Sequence, residues 1–181
     1  MDESIYLVKP TVSMKEAYVS FYEEWKQSGE EMIPSVIQKD PSAFEKMVQA
    51  LHDAEAGRNL AAGRVPASTY WLVTASAKVV GAVNIRHRLT PYLYHRGGHI
   101  GYGIRPTERG KGYAKRLLAL SLEQAKLWGI KRVLVTCDEQ NIPSRRTILA
   151  NGGIPDRNFI EENGNVVQRF WVDLNDYSSL I

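Results

Sequence analysis

Residues 105–114, Arg-Pro-Thr-Glu-Arg-Gly-Lys-Gly-Tyr-Ala, constrain this chain more than any other stretch. An apolar run ending at Ile104 precedes them, and an amphipathic helical pattern follows, with Ala114, Leu117, Leu118, Ser121, Leu122 and Ala125 on one face. After a stop near Gly129, residues 132–137 form a Val- and Leu-rich run suited to a buried strand. The segment therefore encodes strand, tight turn, helix and strand. At the start of such a helix the first backbone N–H groups lack intrahelical partners, and the helix dipole adds partial positive charge, so the turn is built to receive an anion. Gly110 and Gly112 keep side chains out of the way of a bulky diphosphate, and Arg109, Lys111, Lys115 and Arg116 add positive charge around it.

Spacing excludes the common phosphate loops. A Walker A loop has four residues between its first glycine and Gly-Lys, followed by Ser or Thr; here six residues separate Gly103 from Gly110, and Gly112 follows Lys111. A dinucleotide fingerprint fails as well, because Gly101-x-Gly103 runs into Pro106 and Gly110-x-Gly112 into Lys115. Net charge is +3 with basic and acidic residues interspersed, which gives no general attraction to nucleic acid or membrane; a locally basic turn suits a phosphorylated cofactor instead. A single cysteine, Cys137, excludes an intrachain disulfide framework and fits a reducing compartment. With no signal-like start and no long apolar run, a cytoplasmic protein is expected. At 181 residues, 44% hydrophobic and 24% charged, one domain spanning 1–181 is expected.

The rest of the chain supplies an ordered set of elements. Residues 5–8 read as a first strand, and Ser13 with Glu16 has capping-box spacing before a helix bearing Ala17, Tyr18, Phe21, Tyr22 and Trp25 and ending at Gly29. Asp40-Pro41 opens a second helix with Phe44, Met47, Val48 and Leu51 on one face. Residues 30–34 and 57–66 read as loops. Residues 69–75 and 79–89 form a hairpin, a loop spans 90–98, and a strand runs over 99–104. A helix over 141–151 stops at Gly152-Gly153, and strands over 154–160 and 166–172 flank Asn163-Gly164, which is placed as a two-residue hairpin turn would be. The expected architecture is α/β, of the α+β kind, with a mixed, mainly antiparallel sheet of about seven strands and about four helices.

The motif Arg109-x-x-Gly112-x-Ala114 after a strand resembles the acetyl-CoA pyrophosphate loop of the GCN5-related N-acetyltransferases. The order of elements over nearly the whole chain is similar to that family's fold, and Asn141-x-x-Ser144, in a helix ending before Gly152, resembles its second cofactor motif. The resemblance implies acetyl-CoA as co-substrate and direct attack of a primary amine, of a small molecule or a peptide, on the thioester, without a metal. It assigns cofactor contacts to Ile104, Arg105, Arg109, Gly110, Lys111, Gly112, Tyr113, Ala114, Asn141 and Ser144. A backbone N–H near Ile104 is expected to hold the oxyanion, and His99, where many relatives carry a glutamate, is the candidate base, with His95, His87 and Asp138 as alternatives. The tyrosine with which relatives protonate the leaving thiolate corresponds here to Ile148, so the general acid is left to water, Ser144 or another tyrosine. The alternative reading is a non-catalytic acyl-CoA sensor with the same fold. Neither nucleic acid nor membrane is an expected partner; a homodimer fits the family.

The acceptor has no motif of its own. Glu30 and Glu31 read as a solvated loop or a steering pair for a cationic amine. Arg86 and Arg88, two apart on a strand, are placed to hold a carboxylate or phosphate or to pair with their neighbours. Tyr92 and Tyr94 read as exposed loop residues or an aromatic lid, and Trp71, Trp128 and Trp171 as core or rim. Cys137 reads as a buried strand residue rather than a thiol nucleophile.

Overall fold

The computed structural model describes residues 4–175 and 177. The chain begins with strand β1, Ile5–Val8, helix α1, Lys15–Ser28, and helix α2, Phe44–Glu55. The hairpin β2, Ala67–Thr74, and β3, Val79–Arg86, leads to a short helix α3, Pro91–His95. Then come β4, Ile100–Ile104, α4, Tyr113–Leu127, β5, Arg132–Asp138, α5, Ile142–Ala150, β6, Ile154–Ile160, and β7, Val166–Asp173. The seven strands form one mixed sheet in the order β1-β2-β3-β4-β5-β7-β6.

Helices cover both faces of the central strands, which explains why β2 is buried along its whole length. On one face Leu72, Ile85, Ile100 and Val135 pack with Leu117, Leu118 and Leu122 of α4. On the other, Trp71, Val73 and Ala82 pack with Tyr18, Phe21 and Trp25 of α1 and Phe44, Met47 and Val48 of α2. The apolar stripes that identify these helices in the sequence are thus the surfaces that close the two halves of the core.

Local departures from the sequence reading have local causes. Ser13 does not cap α1: its hydroxyl pairs with that of Thr11, and a 3-10 turn at Val12–Met14 precedes the helix. Asp40 does act as a cap, accepting the Ser42 N–H at 2.8 Å, but at a 3-10 turn, Pro41–Ala43, that feeds into α2. The expected loop over 90–98 contains α3, whose start is fixed by the Thr90 hydroxyl accepting the Leu93 N–H, so five α-helices replace about four. Strand β3 ends at Arg86, which leaves Arg88 exposed and outside the ladder. The β6–β7 connection is longer than two residues: the Glu161 N–H donates to Asn165 O, the Gly164 N–H to Glu161 O, and Gly164 (φ +86°), not Asn163, takes the left-handed conformation.

One irregularity positions the site. β4 pairs with β3 from Ile100 to Ile104 and β5 pairs with β7 from Arg132 to Asp138, both antiparallel. Between β4 and β5, the only parallel neighbours among the described residues, the register holds a single pair, Ile100 with Val135. Just before it, the His99 N–H donates to Leu134 O at 2.7 Å and the Leu134 N–H donates to His99 Nδ1 at 2.9 Å. Beyond it the two strands part.

Candidate active site

The parting of β4 and β5 opens a cavity of about 890 Å³ that runs from the glycine turn to loop 30–35. Because the Arg105 N–H donates to Val80 O, the alternation of an antiparallel ladder turns the main-chain groups of Ile104 the other way, toward the opening. Ile104 O there receives Arg109 Nε at 3.3 Å. The edge of β4 is thus a row of backbone groups facing a gap.

At the wide end lies the turn. Gly110 (φ +77°) and Gly112 (φ +81°) are left-handed, and Gly112 is the residue from which α4 starts. A Cβ on either would meet no protein atom within 4 Å, so it is the dihedral angle, not crowding by the protein, that requires glycine here. Arg109, Gly110, Gly112, Tyr113, Ala114 and Lys115 line the cavity. Lys111 does not: its ammonium pairs at 2.8 Å with Glu108, which also contacts Lys78, and this pairing holds the buried Glu108 carboxyl below the ordinary range.

Arg105 points away from the expected cofactor position. Its buried guanidinium reaches Glu24 and the Ser20 hydroxyl (3.0 Å) on α1. Burial opposes ionisation of Glu24, yet the Thr107 N–H at 2.9 Å and Arg105 keep its carboxyl below its usual pKa. Arg105 ties α1 to the turn: its guanidinium is spent on the Glu24 carboxylate, the Ser20 hydroxyl and the Val79 carbonyl rather than on the cavity.

On the α4–α5 side, three polar groups converge on the opening. Asn141 caps α5 by accepting the Ser144 N–H at 3.1 Å, and both residues line the cavity. The Ser144 hydroxyl lies 3.0 Å from the hydroxyl of Tyr102 on β4. Burial pushes the Tyr102 phenol up to about 12 and the neighbouring Cys137 thiol up to about 11, so both are protonated near neutral pH. Tyr102 was not singled out by the sequence, although its spacing of two from Ile104 places both on one face of β4. Ile148 is fully buried in the core behind them, which accounts for an aliphatic side chain at that position.

His99 does not meet the role of base. It is 7% exposed, does not line the cavity, and its Nδ1 is occupied by the Leu134 N–H. Burial and the nearby Arg86 charge push its pKa down to about 4, which leaves a neutral imidazole that holds β4 to β5 at the apex of the gap. Among the alternatives, His87 stacks on Trp128 with centroids 4.1 Å apart, and His95 stacks on Phe159 at 4.7 Å. Only Asp138, which accepts from Asn165 Nδ2 at 2.9 Å, lines the cavity.

The opposite side of the sheet supplies the other half of the cavity. Loop 30–35 lies directly on β4, so close that a Cβ at Gly103 would stand 2.0 Å from Ile33 O. Glu30 is not merely solvated: it pairs at 2.7 Å with Arg109, whose guanidinium lies 4.9 Å from the Trp25 ring. Glu31, Arg86, Arg96, Thr136 and Asp138 complete this half. Trp25 and Arg96 gave no signal in the sequence beyond a helical stripe and a loop. Tyr92 is 67% exposed on α3, and Tyr94 packs under Arg169.

These features define an α/β class of fold whose mixed sheet parts between β4 and β5, with a glycine turn at the wide end. The chain belongs to the acetyltransferase (GNAT) family, whose model matches residues 17–152. No curated protein matches the sequence. Among solved structures it is similar to the ribosomal-protein-S5-alanine acetyltransferase of Vibrio fischeri, at 15% identity over 98% of this chain and 96% of that one, with a TM-score of 0.66. It is also similar to the microcin C7 self-immunity acetyltransferase MccE, solved with acetyl-CoA and AMP (17% identity, 96% and 94% covered, TM-score 0.65). A third likeness is YncA of Salmonella typhimurium, solved with acetyl-CoA (12% identity, 97% and 96% covered, TM-score 0.60). These likenesses show a shared fold.

Proposed function

We propose that this protein transfers the acetyl group of acetyl-CoA to a primary amine by direct attack. The observation that carries the reading is the single-pair register between β4 and β5, which leaves the backbone of Tyr102 to Ile104 facing a cavity that ends at the glycine turn. The diphosphate rests on the N-terminus of α4, with Gly110, Gly112, Tyr113 and Ala114 supplying the cradle. The pantetheine arm lies along β4 as an added strand, between it and the Asn141–Ser144 start of α5.

In this pose the Ile104 N–H holds the thioester oxygen and then the oxyanion of the tetrahedral intermediate, a donor worth about 3 kcal/mol at the transition state. The amine nitrogen attacks the carbonyl carbon from the side of loop 30–35, and the C–S bond breaks with its electron pair going to sulfur. The Tyr102–Ser144 hydroxyl pair donates a hydrogen bond to the departing thiolate and so stabilises the charge that develops on sulfur. The nitrogen's surplus proton leaves to Asp138 or Glu31, directly or through water. Cys137, held protonated by burial, takes no covalent part.

The test is CoA release from acetyl-CoA on addition of a panel of amines, with acetyl-CoA binding measured in parallel. Binding with turnover of at least one amine supports the reading; binding without turnover of any amine gives the sensor reading instead.

A further inference from the structure

The half of the cavity assigned to the acceptor contains one cation, Arg86, that no carboxylate among the described residues neutralises. Arg109 is paired with Glu30, and Arg96 is in contact with Glu161. Arg86 differs. Its Nη1 donates to the carbonyl oxygens of Gly97 (2.9 Å) and Gly98 (3.1 Å), and among the described residues no carboxylate lies within 4.0 Å of it. The charged group felt most strongly from outside is another cation, Arg64, and burial together with that charge holds the guanidinium below its ordinary pKa. Half-buried guanidinium groups are ordinarily compensated, because removing a cation from water is costly unless an anion replaces the lost hydration.

The setting of Arg86 keeps a face of the group open to the cavity. It stands on the same side of the sheet as Gly101, the side opposite the core around α4, and it lines the cavity. Ideal Cβ atoms on Gly97 and Gly101 would lie 3.8 Å from Nη1 and 3.7 Å from Nη2, so two glycines leave bare the space beside the guanidinium that side chains would otherwise fill. The two backbone carbonyls take up Nη1 and fix the plane of the group, leaving Nη2 for a ligand. Across the same half, Glu31 and Asp138 line the cavity and are in no ion pair among the described residues. The half therefore offers an anchored cation and separate carboxylates, a pattern complementary to a molecule that carries both an anion and an ammonium.

Resting on the acetyltransferase reading above, we infer that the acceptor is an amine bearing an oxyanion, a carboxylate or a phosphate, which Arg86 binds while the amine faces the thioester. Charge-assisted hydrogen bonds from a planar guanidinium supply both the affinity and the orientation.

The experiment compares matched acceptors that differ only in the oxyanion: lysine with cadaverine, tyrosine with tyramine, and O-phosphoethanolamine with ethanolamine. Turnover is followed by CoA release and binding by calorimetric titration in the presence of CoA. The expected result is that the anionic member of at least one pair has a kcat/KM, or an affinity, higher by about tenfold to a hundredfold, and that the ratio collapses to within about twofold in Arg86→Met and recovers in part in Arg86→Lys. The first two pairs report a carboxylate and the third a phosphate. Equal treatment of both members of every pair by the wild-type protein overturns the inference while leaving acetyl transfer standing, as does a preference that survives in Arg86→Met. Failure of every member to bind or react overturns it too. Failure to release CoA with any amine, despite acetyl-CoA binding, overturns the acetyltransferase reading itself. Should Arg86→Met not fold, Arg86→Gln takes its place in the same comparison, with the same outcomes.

Discussion

The two halves of the cavity are built differently. In the proposed reading the donor half is mostly backbone from one contiguous segment, the open edge of β4, two left-handed glycines and the first turn of α4, with the Asn141–Ser144 start of α5 beside it. The acceptor half is assembled from side chains of α1, loop 30–35, β3, the α3–β4 junction and β5, held together by Arg109 over Trp25, Arg86 on the Gly97 and Gly98 carbonyls, and the contact between Arg96 and Glu161. A site made of main-chain groups tolerates wide change in the surrounding sequence, because every residue but proline brings the same N–H and C=O. A site made of side chains changes its ligand whenever one of them is replaced. The chain shares its fold with acetyltransferases at 12–17% identity, and under the proposed function a backbone-built site fits such divergence, whereas a side-chain-built one makes the acceptor particular to each sequence.

The division is broken most forcefully at the turn. In Gly112→Val, a β-branched residue is forced to φ +81°, and acetyl-CoA affinity is expected to fall about a hundredfold, with a stability loss of about 1–2 kcal/mol. Calorimetric titration and thermal melts measure the two effects; unaltered affinity would remove the turn from the donor site.

Next in size is the apex of the gap, where the halves meet. The folded pKa of His99 lies below its unfolded value of 6.5, at about 4, so its contribution to stability is complete above pH 6.5 and is lost as the pH falls from 6.5 toward 4. Urea unfolding across this window is expected to show up to about 3 kcal/mol of lost stability that is absent in His99→Gln. The same variant should retain the wild-type pH–rate profile around neutrality. A limb near pH 6–7 that vanishes in His99→Gln would restore the histidine as base.

Arg105 separates cofactor binding from scaffolding within a single motif. Arg105→Ala leaves Glu24 without its cation and is expected to cost about 2 kcal/mol of stability with acetyl-CoA affinity within about twofold, by denaturation and titration. The smallest effect expected is at Tyr102. Tyr102→Phe removes one hydroxyl from the Ser144 pair and should lower kcat about tenfold while leaving the KM for acetyl-CoA nearly unchanged. A drop in affinity without a drop in kcat would make the hydroxyl a binding group.

The glycine turn and the cap of α5 were legible in the sequence because their signals are local. Positive φ selects glycine, strand and helix periods are visible within a dozen residues, and Asn141 three residues before Ser144 is a cap in any context. The same locality misled where a second partner was involved. Ser13 and Glu16 have capping spacing, but Thr11 takes the Ser13 hydroxyl. Arg105 looks like a phosphate ligand until Glu24, from α1, is brought to it, and Lys111 until Glu108, three residues earlier, takes its ammonium. His99 has the chemistry of a base until β5 places the Leu134 N–H on its ring.

The sequence by itself determined the order of elements, the position of the glycine turn and the donor it implies, because periodicity and backbone stereochemistry act between near neighbours. Tertiary structure alone decided which polar side chains remain available for chemistry. That Arg86 meets no carboxylate among the described residues while Arg105 is consumed by one, and that Tyr102 meets Ser144 across 42 positions of chain, follow from how β4 and β5 part and which helices cover each side. Coulomb and hydrogen-bond energies depend on distances between residues remote in sequence, and the packing of the sheet sets those distances.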